Sequence, residues 1–113
     1  MTKKSPLFQA TPFEVEQALK KLGDDLRTAR LRRNLSTTDA GAKIGAGRRA
    51  IVDAERGKPS TSMAVYAGLL WSYGFVDRLA DAADPALDKE GQRQATIRER
   101  AHARRPKGLN NDF

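Results

Sequence analysis

The sequence predicts an all-α fold of about five helices joined by short links. Apolar residues recur at spacings of three and four along residues 12–85, which is the period of an amphipathic helix. No run of four or more residues alternates apolar with polar side chains, as a half-buried strand would. Residues that start and stop helices, such as Ser36 and Gly57, flank the periodic segments. A chain of 113 residues has room for one small domain of this kind.

The composition limits what such a domain can do. The chain has no cysteine, so disulfides and cysteine-based metal sites are excluded. No apolar run approaches the roughly 18 residues of a membrane span, and the first residues lack the apolar block of a signal peptide. We therefore expect a cytoplasmic protein without membrane contact. The 21 Lys and Arg against 14 Asp and Glu give a net charge of +7, which favours a polyanionic partner, although a merely soluble basic protein would share it.

The first helix is predicted to begin at Thr11 and Pro12, because threonine can cap a first turn and proline suits the first helical position. Gly23 lowers the stability of a helix by about 1 kcal/mol. The segment therefore forms either one helix or a short leading helix and a main helix that ends near Arg33. Its predicted apolar face comprises Val15, Leu19, Leu22, Leu26 and Ala29.

Two short helices follow. Ser36, with Asp39 three residues later, resembles a capping box and starts the second helix, which stops at Gly45. The third helix ends at Gly57, a glycine in the usual position after a helix, with Pro59 beyond it. The residues predicted to point inward are Ala40 and Ile44 in the second helix, and Ile51 and Ala54 in the third.

Two further helices complete the predicted domain. Ser62 opens the fourth helix, which ends at Gly74. The fifth helix covers residues 75–83, and Pro85 closes it. The inward stripe of the fourth helix is predicted to contain Met63, Tyr66, Ala67, Leu70 and Trp71, and that of the fifth Val76, Leu79 and Ala83.

The composition divides the chain into a flexible arm (residues 1–11), the helical domain (residues 12–85) and a basic tail (residues 86–113). The basic stretch of the tail has one large apolar residue, Ile97, so we expect a flexible chain or a solvated helix. The tail can clamp DNA, dock on an acidic partner, or only keep the protein in solution. We assign no role to His102. The cations considered in the tail are Arg93, Arg98, Arg100, Arg104, Arg105 and Lys107.

The stretch KIGAGRRAIVDAERGKPS, residues 43–60, has two interpretations: a loop that holds a small nucleotide, or a turn that directs a helix at DNA. A dinucleotide-binding fingerprint requires a preceding strand and a third glycine. Here Gly45 follows a predicted helix, and Ala50 stands three residues beyond Gly47. A phosphate-binding loop of the other common kind requires Gly-Lys-Ser or Gly-Lys-Thr, and neither occurs. The sequence therefore favours the turn.

A steep turn between two short helices requires a residue that tolerates the left-handed conformation, and Gly45 supplies it. The following helix then exposes Arg48 and Arg49 at its start. Arginine can bind guanine O6 and N7 with two hydrogen bonds, or contact a phosphate. The alternative is that both arginines are only a solvated charged pair. Small side chains are needed where the helix axes approach, and the candidates are Ala40, Gly41 and Ala54.

Residues 22–60, LGDDLRTARLRRNLSTTDAGAKIGAGRRAIVDAERGKPS, resemble the helix-turn-helix of Xre/Cro/cI-type repressors. The shared features are the Leu-Ser entry, the Ile-Gly turn, an isoleucine in the third helix and the Glu-Arg-Gly close, and the resemblance extends over roughly residues 22–84. It implies a five-helix, lambda-repressor-like domain that binds double-stranded operator DNA. It also implies an ion pair between Arg30 and Glu55. The predicted DNA contacts are Thr37, Thr38, Arg48, Arg49, Val52, Asp53, Arg56 and Lys58.

Three positions qualify this expectation. The family often has a long or hydroxyl side chain where Gly47 and Ala50 stand here, so we expect fewer base contacts. Asp53 has two possible roles. It can accept a hydrogen bond from a cytosine amino group, or it can pair with Arg49 four residues earlier.

Residues 59–92, PSTSMAVYAGLLWSYGFVDRLADAADPALDKEGQ, resemble the HipB-like regulators that accompany HipA-type kinases. The resemblance implies a homodimer that binds operator DNA and holds a kinase toxin. The sequence also has more large apolar groups here than a small five-helix domain readily buries. For Trp71 and Tyr73, closing the core is the alternative. The predicted dimer interface is Trp71, Tyr73, Phe75, Val76 and Leu79.

Together these features predict a cytoplasmic, nucleoid-associated, DNA-binding autorepressor without a cofactor or a metal, and the antitoxin of a HipA-type module. The alternative is a protein-interaction module whose basic tail binds an acidic partner, with DNA binding incidental. An enzyme is disfavoured, because the sequence shows no nucleophile–base pair, no carboxylate pair in a predicted cleft and no set of metal ligands.

Overall fold

The computed structural model describes residues 10–104, which form six α-helices and one short 3-10 helix without a strand. This confirms the predicted all-α class. The predictions for residues 1–9 of the arm, and for Arg105 and Lys107 in the tail, lie outside the described residues. The helices are α1 (Phe13–Arg32), α2 (Thr37–Ile44), α3 (Arg48–Glu55), α4 (Met63–Ser72), α5 (Val76–Ala80), the 3-10 helix (Pro85–Leu87) and α6 (Lys89–Ala103).

The chain divides into two compact units, the first ending at Leu79 and the second beginning at Ala80. In the first unit, α3 packs against α1, α2 and α4, and α2 also packs against α4. In the second unit, α6 packs against the 3-10 helix. The residues predicted to bind DNA all belong to the first unit.

The first helix is not broken at Gly23, because α1 runs through this residue as one helix of 20 residues. A Cβ atom at Gly23 would lie 2.6 Å from the carbonyl oxygen of Glu55 and 2.7 Å from that of Ala54. A Cβ atom at Gly57 would likewise lie 2.5 Å from the carbonyl oxygen of Leu19. No side chain fits at these distances, so the two glycines allow the backbones of α1 and of the end of α3 to touch.

The first four helices end in the same way. Each is followed by a residue with positive φ, and the N–H group of the next residue donates to a carbonyl oxygen five positions earlier. This Schellman pattern satisfies carbonyl groups that the last helical turn leaves without a partner. The four residues and their φ angles are Asn34 (55°), Gly45 (73°), Gly57 (70°) and Gly74 (85°).

The predicted serine caps of α2 and α4 are present. The Asp39 N–H donates to Ser36 Oγ at 3.0 Å, and the Ser36 N–H donates to Asp39 Oδ2 at 3.2 Å, which completes the capping box. These hydrogen bonds lower the pKa of Asp39 below its usual value. At α4, the Ala64 N–H donates to Ser62 Oγ at 3.0 Å.

The core of the first unit differs from the prediction in the face that α4 buries. The structure buries Leu69 and Tyr73, whereas Met63 and Trp71, predicted to point inward, are exposed. Because α4 is apolar on nearly all sides, the helical period alone does not identify its inner face. The buried apolar residues are Leu26, Ala29, Ala40, Ile51, Ala54, Tyr66, Leu69 and Tyr73.

The fifth helix is shorter than predicted. It covers Val76–Ala80 rather than residues 75–83, and none of its residues is buried. Val76 is exposed, Leu79 is half-buried and Ala83 is exposed, so the predicted inward stripe is wrong for this helix. The charged residues Asp77 and Arg78 occupy its short surface, which leaves little apolar area to hold a longer helix against the core.

The basic tail contains a helix along much of its described length. α6 has 15 residues, none of them buried, which matches the solvated-helix alternative rather than a flexible chain. Asp88 caps it, because the Gly91 N–H donates to Asp88 Oδ1 at 2.9 Å. The side-chain amide of Gln92 donates to the carbonyl oxygens of Pro85 and Ala86, at 3.0 and 3.3 Å, and so holds the 3-10 helix against α6.

Candidate functional site

The candidate site is the pair α2 and α3 with the turn between them. The left-handed conformation of Gly45, with φ of 73°, ends α2, and the Ala46 N–H then donates to the carbonyl oxygen of Gly41 at 2.9 Å. Gly41 also lies so close to the carbonyl group of Ala46 that a Cβ atom would not fit. The segment from residue 43 to residue 57 is therefore not one rod: α2 ends at Ile44 and α3 begins at Arg48. Gly45 is required for the left-handed backbone, and Gly41 for the close approach to Ala46.

The third helix starts without a side-chain cap. Gly47 holds the capping position with extended backbone (φ −76°, ψ 162°), and it has no side chain with which to bond the first N–H groups of α3. Arg48 and Arg49 follow it directly, and both are exposed. The start of α3 thus combines two guanidinium groups with the positive end of a helix dipole, an arrangement that attracts anions.

Asp53 is held between two cations on the same surface. Its Oδ1 lies 3.4 Å from Nε of Arg49, and its Oδ2 lies 3.7 Å from Nζ of Lys58. The Asp53 side chain is 18% exposed, against 74% for Arg49 and 51% for Lys58. The carboxylate therefore forms the pair that was one of the two alternatives for this residue. The contact with Arg49 is made through Nε, and a guanidinium group has further N–H donors on its two terminal nitrogens.

The two residues of the implied ion pair lie together. Nε of Arg30 donates to Oε2 of Glu55 at 2.6 Å, and Nη2 donates to Oε1 at 2.9 Å. The two side chains are only 10% and 7% exposed. Nη1 of Arg30 also donates to the carbonyl oxygen of Leu35, at 2.9 Å. The pair therefore connects α1, the loop before α2 and the end of α3.

Because this ion pair is buried, removal of either partner should lower the free energy of unfolding substantially. The hydrogen bonds that Arg30 donates to Glu55 raise the pKa of Arg30 above its usual value, against the opposing effect of burial. Removal of one member of a buried pair leaves the other charged and unpaired, which costs about 3–5 kcal/mol. The pair thus fixes the C-terminal end of α3 relative to α1.

The remaining predicted DNA contacts lie around these two helices at different depths. Thr38 is exposed on the first turn of α2, whereas its neighbour Thr37 is half-buried. Val52 is half-buried on α3, and Arg56, which follows α3, is exposed.

Tyr73 must be removed from the predicted dimer interface. Its side chain is 4% exposed and belongs to the core of a single chain. The guanidinium of Arg33 lies 5.1 Å from the centre of its ring and covers it. Trp71 is 62% exposed and Val76 38% exposed, so both are available to a partner. Phe75 and Leu79 are half-buried, and Phe75 packs against the core.

Arg33 is a residue that the sequence did not single out. Its Nη1 donates to the carbonyl oxygen of Ala29 at 2.9 Å, and its Nη2 donates to that of Tyr73 at 3.1 Å. The same guanidinium lies 5.7 Å from the centre of the Phe75 ring. The run RLRRN contains three arginines. Its pattern alone gives no sign of which one joins α1 to the end of α4.

Neither a group of metal ligands nor a membrane-spanning helix occurs between Ala10 and Arg104. That part of the chain has no group of three or more His, Cys, Asp or Glu residues that could hold a metal ion. It also has no helix that is both long enough and apolar enough to cross a membrane.

Comparisons with protein-family models, with curated proteins and with solved structures give no match for this chain.

Proposed function

We propose that the chain is a sequence-specific, DNA-binding transcriptional regulator in which α2, the turn and α3 form a lambda-repressor-like helix-turn-helix. In this proposal α3 is the recognition helix. The observation that carries it is the turn at Gly45, which separates α3 from α2 and leaves Arg48 and Arg49 exposed at the start of α3. An exposed pair of arginines at a helix start suits the edges of base pairs in a major groove.

The charges around α3 favour a nucleic acid over a neutral partner. A chain with net charge +7 gains affinity for DNA by releasing the ions that surround phosphates. Thr38, exposed on the first turn of α2, is suited to a phosphate contact beside the recognition helix. Arg56 and Lys58 add positive charge after α3.

The packing behind α3 favours a rigid recognition element. Ile51 and Ala54 are fully buried on its inner face. The ion pair of Arg30 and Glu55 holds its C-terminal end. A helix fixed in this way holds its outer side chains in a constant orientation. Bidentate hydrogen bonds from arginine to a base require such an orientation.

We also propose that the regulator is a homodimer. Trp71 is 62% exposed although it lies in a helix of the first unit, and Val76 is exposed next to the half-buried Leu79. A two-fold axis would present two α3 helices to half-sites one turn of DNA apart, or a multiple of that distance.

The proposal is tested with DNA selected for binding. Duplexes enriched from a random-sequence pool, and scrambled versions of them, are titrated with the wild-type chain and with R48A/R49A. We expect the double variant to lose discrimination between the two duplexes, by about 1–3 kcal/mol for each arginine that contacts a base.

Two further variants separate base recognition from charge. R48K/R49K keeps both charges but loses the paired donors of the guanidinium group, so we expect it to bind scrambled DNA like the wild type and to discriminate poorly. K20A/K21A removes two charges from α1 and should keep discrimination. Equal discrimination by all four chains would reject α3 as the recognition helix, and a wild-type chain that does not discriminate at all would leave the interaction module as the better candidate.

The antitoxin role is a separate proposal, supported by the resemblance of residues 59–92 to HipB-like regulators. Its test is co-purification with the product of the neighbouring gene. A stable complex with a kinase-like protein would support the role. The absence of such a neighbour would remove it without affecting the DNA-binding proposal.

A further inference from the structure

The described part of the tail has four of its five Lys and Arg residues on one side of a helix. At about 100° per residue, Lys89, Arg93, Arg100 and Arg104 fall within a sector of about 60° around the axis of α6 and its C-terminal cap. We call these four residues the basic stripe. It is about 22 Å long, at about 1.5 Å per residue, and all four residues are exposed. Arg98 and Glu99 lie outside this sector.

Such a stripe is unfavourable for an isolated helix. Lys89 and Arg93 are four residues apart, as are Arg100 and Arg104, and like charges at this spacing repel each other. Glu90 offsets the repulsion at Arg93, because Oε1 of Glu90 accepts a hydrogen bond from Nε of Arg93 at 3.1 Å. That pair is exposed on both sides, so a stronger anion can displace it easily.

The side chains of α6 also indicate what kind of partner it suits. A helix that docks in a protein groove usually carries large apolar anchors at spacings of three, four and seven residues. α6 has only Ile97 as a large apolar residue, and no residue of the helix is buried. Arginine and lysine along one edge without such anchors match a row of phosphates, which supplies charge but no apolar pocket.

We propose that the basic stripe of α6 is a second nucleic-acid contact, which binds the phosphate backbone of duplex DNA independently of its sequence. This proposal rests on the proposed function in one respect, namely that the chain binds duplex DNA. Recognition of sequence is assigned to the arginines of α3, whereas the stripe adds affinity and salt dependence.

The test uses two variants of the full chain with the same composition and the same net charge. R100E/E99R exchanges two neighbouring residues and puts a carboxylate into the stripe. R98E/E99R makes the matching exchange outside it. Each is titrated with a scrambled 24-base-pair duplex over a series of salt concentrations. We expect R100E/E99R to bind several-fold more weakly, with a salt slope smaller by about 1, while R98E/E99R stays close to the wild type.

Milder variants guard against a loss of helix. R100Q and R98Q make the same comparison without a new negative charge, and circular dichroism checks the helix content of every chain. Weaker binding by R100Q than by R98Q supports the stripe. Equal affinities for all four variants, or equal losses on and off the stripe, would overturn it.

Two outcomes separate this proposal from the previous one. A wild-type chain that binds scrambled duplex through the stripe, yet does not discriminate among sequences, rejects the role of α3 and keeps the stripe. A wild-type chain that binds no duplex rejects both.

Titration with a polyglutamate peptide tests the alternative that the stripe binds an acidic protein. Stripe-dependent binding that is tighter for this peptide than for the duplex would overturn the assignment to DNA.

Discussion

Two buried tyrosines of the first unit have hydroxyl groups in opposite situations. The Tyr66 hydroxyl donates to the carbonyl oxygen of Lys58 at 2.9 Å and so holds the loop after α3. The Tyr73 hydroxyl is also buried, but it has no hydrogen-bond partner within residues 10–104. A buried polar group without a partner costs about 1–3 kcal/mol.

The two tyrosines should therefore respond oppositely to loss of the hydroxyl. We expect Y73F to raise the free energy of unfolding by about 1 kcal/mol, because it removes an unpaired polar atom and keeps the ring. Y66F should lower it by about 1 kcal/mol, because the Lys58 carbonyl loses its donor. Urea unfolding followed by circular dichroism measures both. A destabilised Y73F would contradict the prediction.

The same burial predicts a loss of stability in alkali. Burial is the main cause that raises the pKa of both Tyr66 and Tyr73. Above about pH 10 the tyrosines of the unfolded chain ionise while the buried ones stay neutral. Their contribution to stability is complete below that pH and is lost as the pH rises through the higher folded-state pKa values. Unfolding free energies between pH 8 and pH 11 should fall less for Y73F than for the wild type.

Asp53 is expected to control how Arg49 is used. In D53N, Arg49 and Lys58 lose their common carboxylate. We expect tighter binding to scrambled DNA, since a negative charge is gone, and weaker discrimination, since Arg49 is no longer oriented. D24N, at an exposed position of α1, removes the same charge and serves as the control. If the two variants discriminate equally well, Asp53 does not position Arg49.

At the scale of the helices, the contact between α1 and the end of α3 shows why a residue's helix propensity can mislead. Gly23 lies in the middle of α1, where glycine is about 1 kcal/mol less favourable than alanine. Its neighbours, however, are the carbonyl oxygens of Ala54 and Glu55 at distances that exclude a Cβ atom. The glycine therefore serves the packing of two helices rather than the stability of one.

Replacement of Gly23 should test this account. We expect G23A to lower the free energy of unfolding despite the better helix propensity of alanine, because the methyl group pushes α3 away from α1. G47S provides the contrast. A Cβ atom at Gly47 meets nothing within 4 Å, and serine caps a helix better, so a gain of a few tenths of a kcal/mol is expected. Thermal unfolding compares the two. Stabilisation by G23A would contradict the packing argument.

The ends of α2, α3 and α4 could be predicted from the sequence, whereas the end of α5 and the inner face of α4 could not. The caps at Ser36 and Ser62 and the stop at Gly45 depend on neighbouring residues alone, and the structure confirms them. The inner face of α4 depends on which neighbours cover it. A helix with the sequence MAVYAGLLWS offers apolar residues on several sides. Its period therefore did not show that Trp71 is exposed, or that Tyr73, which follows the helix, is buried.

Some contacts within the site could likewise be predicted from the sequence, and others could not. The pair of Arg49 and Asp53 follows from their spacing of four residues on one helix. The second cation, Lys58, reaches Asp53 only because the chain turns back at Gly57. The ion pair of Arg30 and Glu55 joins residues that are 25 positions apart, and only the family resemblance indicated it.

At the scale of the whole molecule, substitutions of Trp71 and of Tyr73 should affect different properties: the first the proposed dimer, the second the stability of the fold. W71A removes a side chain that is 62% exposed, so we expect the chain to remain folded and the proposed dimer to dissociate more easily. Y73A removes a side chain that is 4% exposed and should lower the free energy of unfolding by about 3–5 kcal/mol. Analytical ultracentrifugation and urea unfolding measure the two properties. An unchanged dimer in W71A would place the interface elsewhere.

The close main-chain contacts between α1 and the end of α3 have a consequence for how such a protein can diverge. Because Gly23 and Gly57 set the position of α3 through peptide groups, its angle owes little to the side chains on its outer surface. Arg48 and Arg49 are therefore free to be exchanged without remodelling what lies beneath them. Libraries randomised at these two positions should yield mostly folded chains, and under the proposed function some of those chains would bind other DNA sequences.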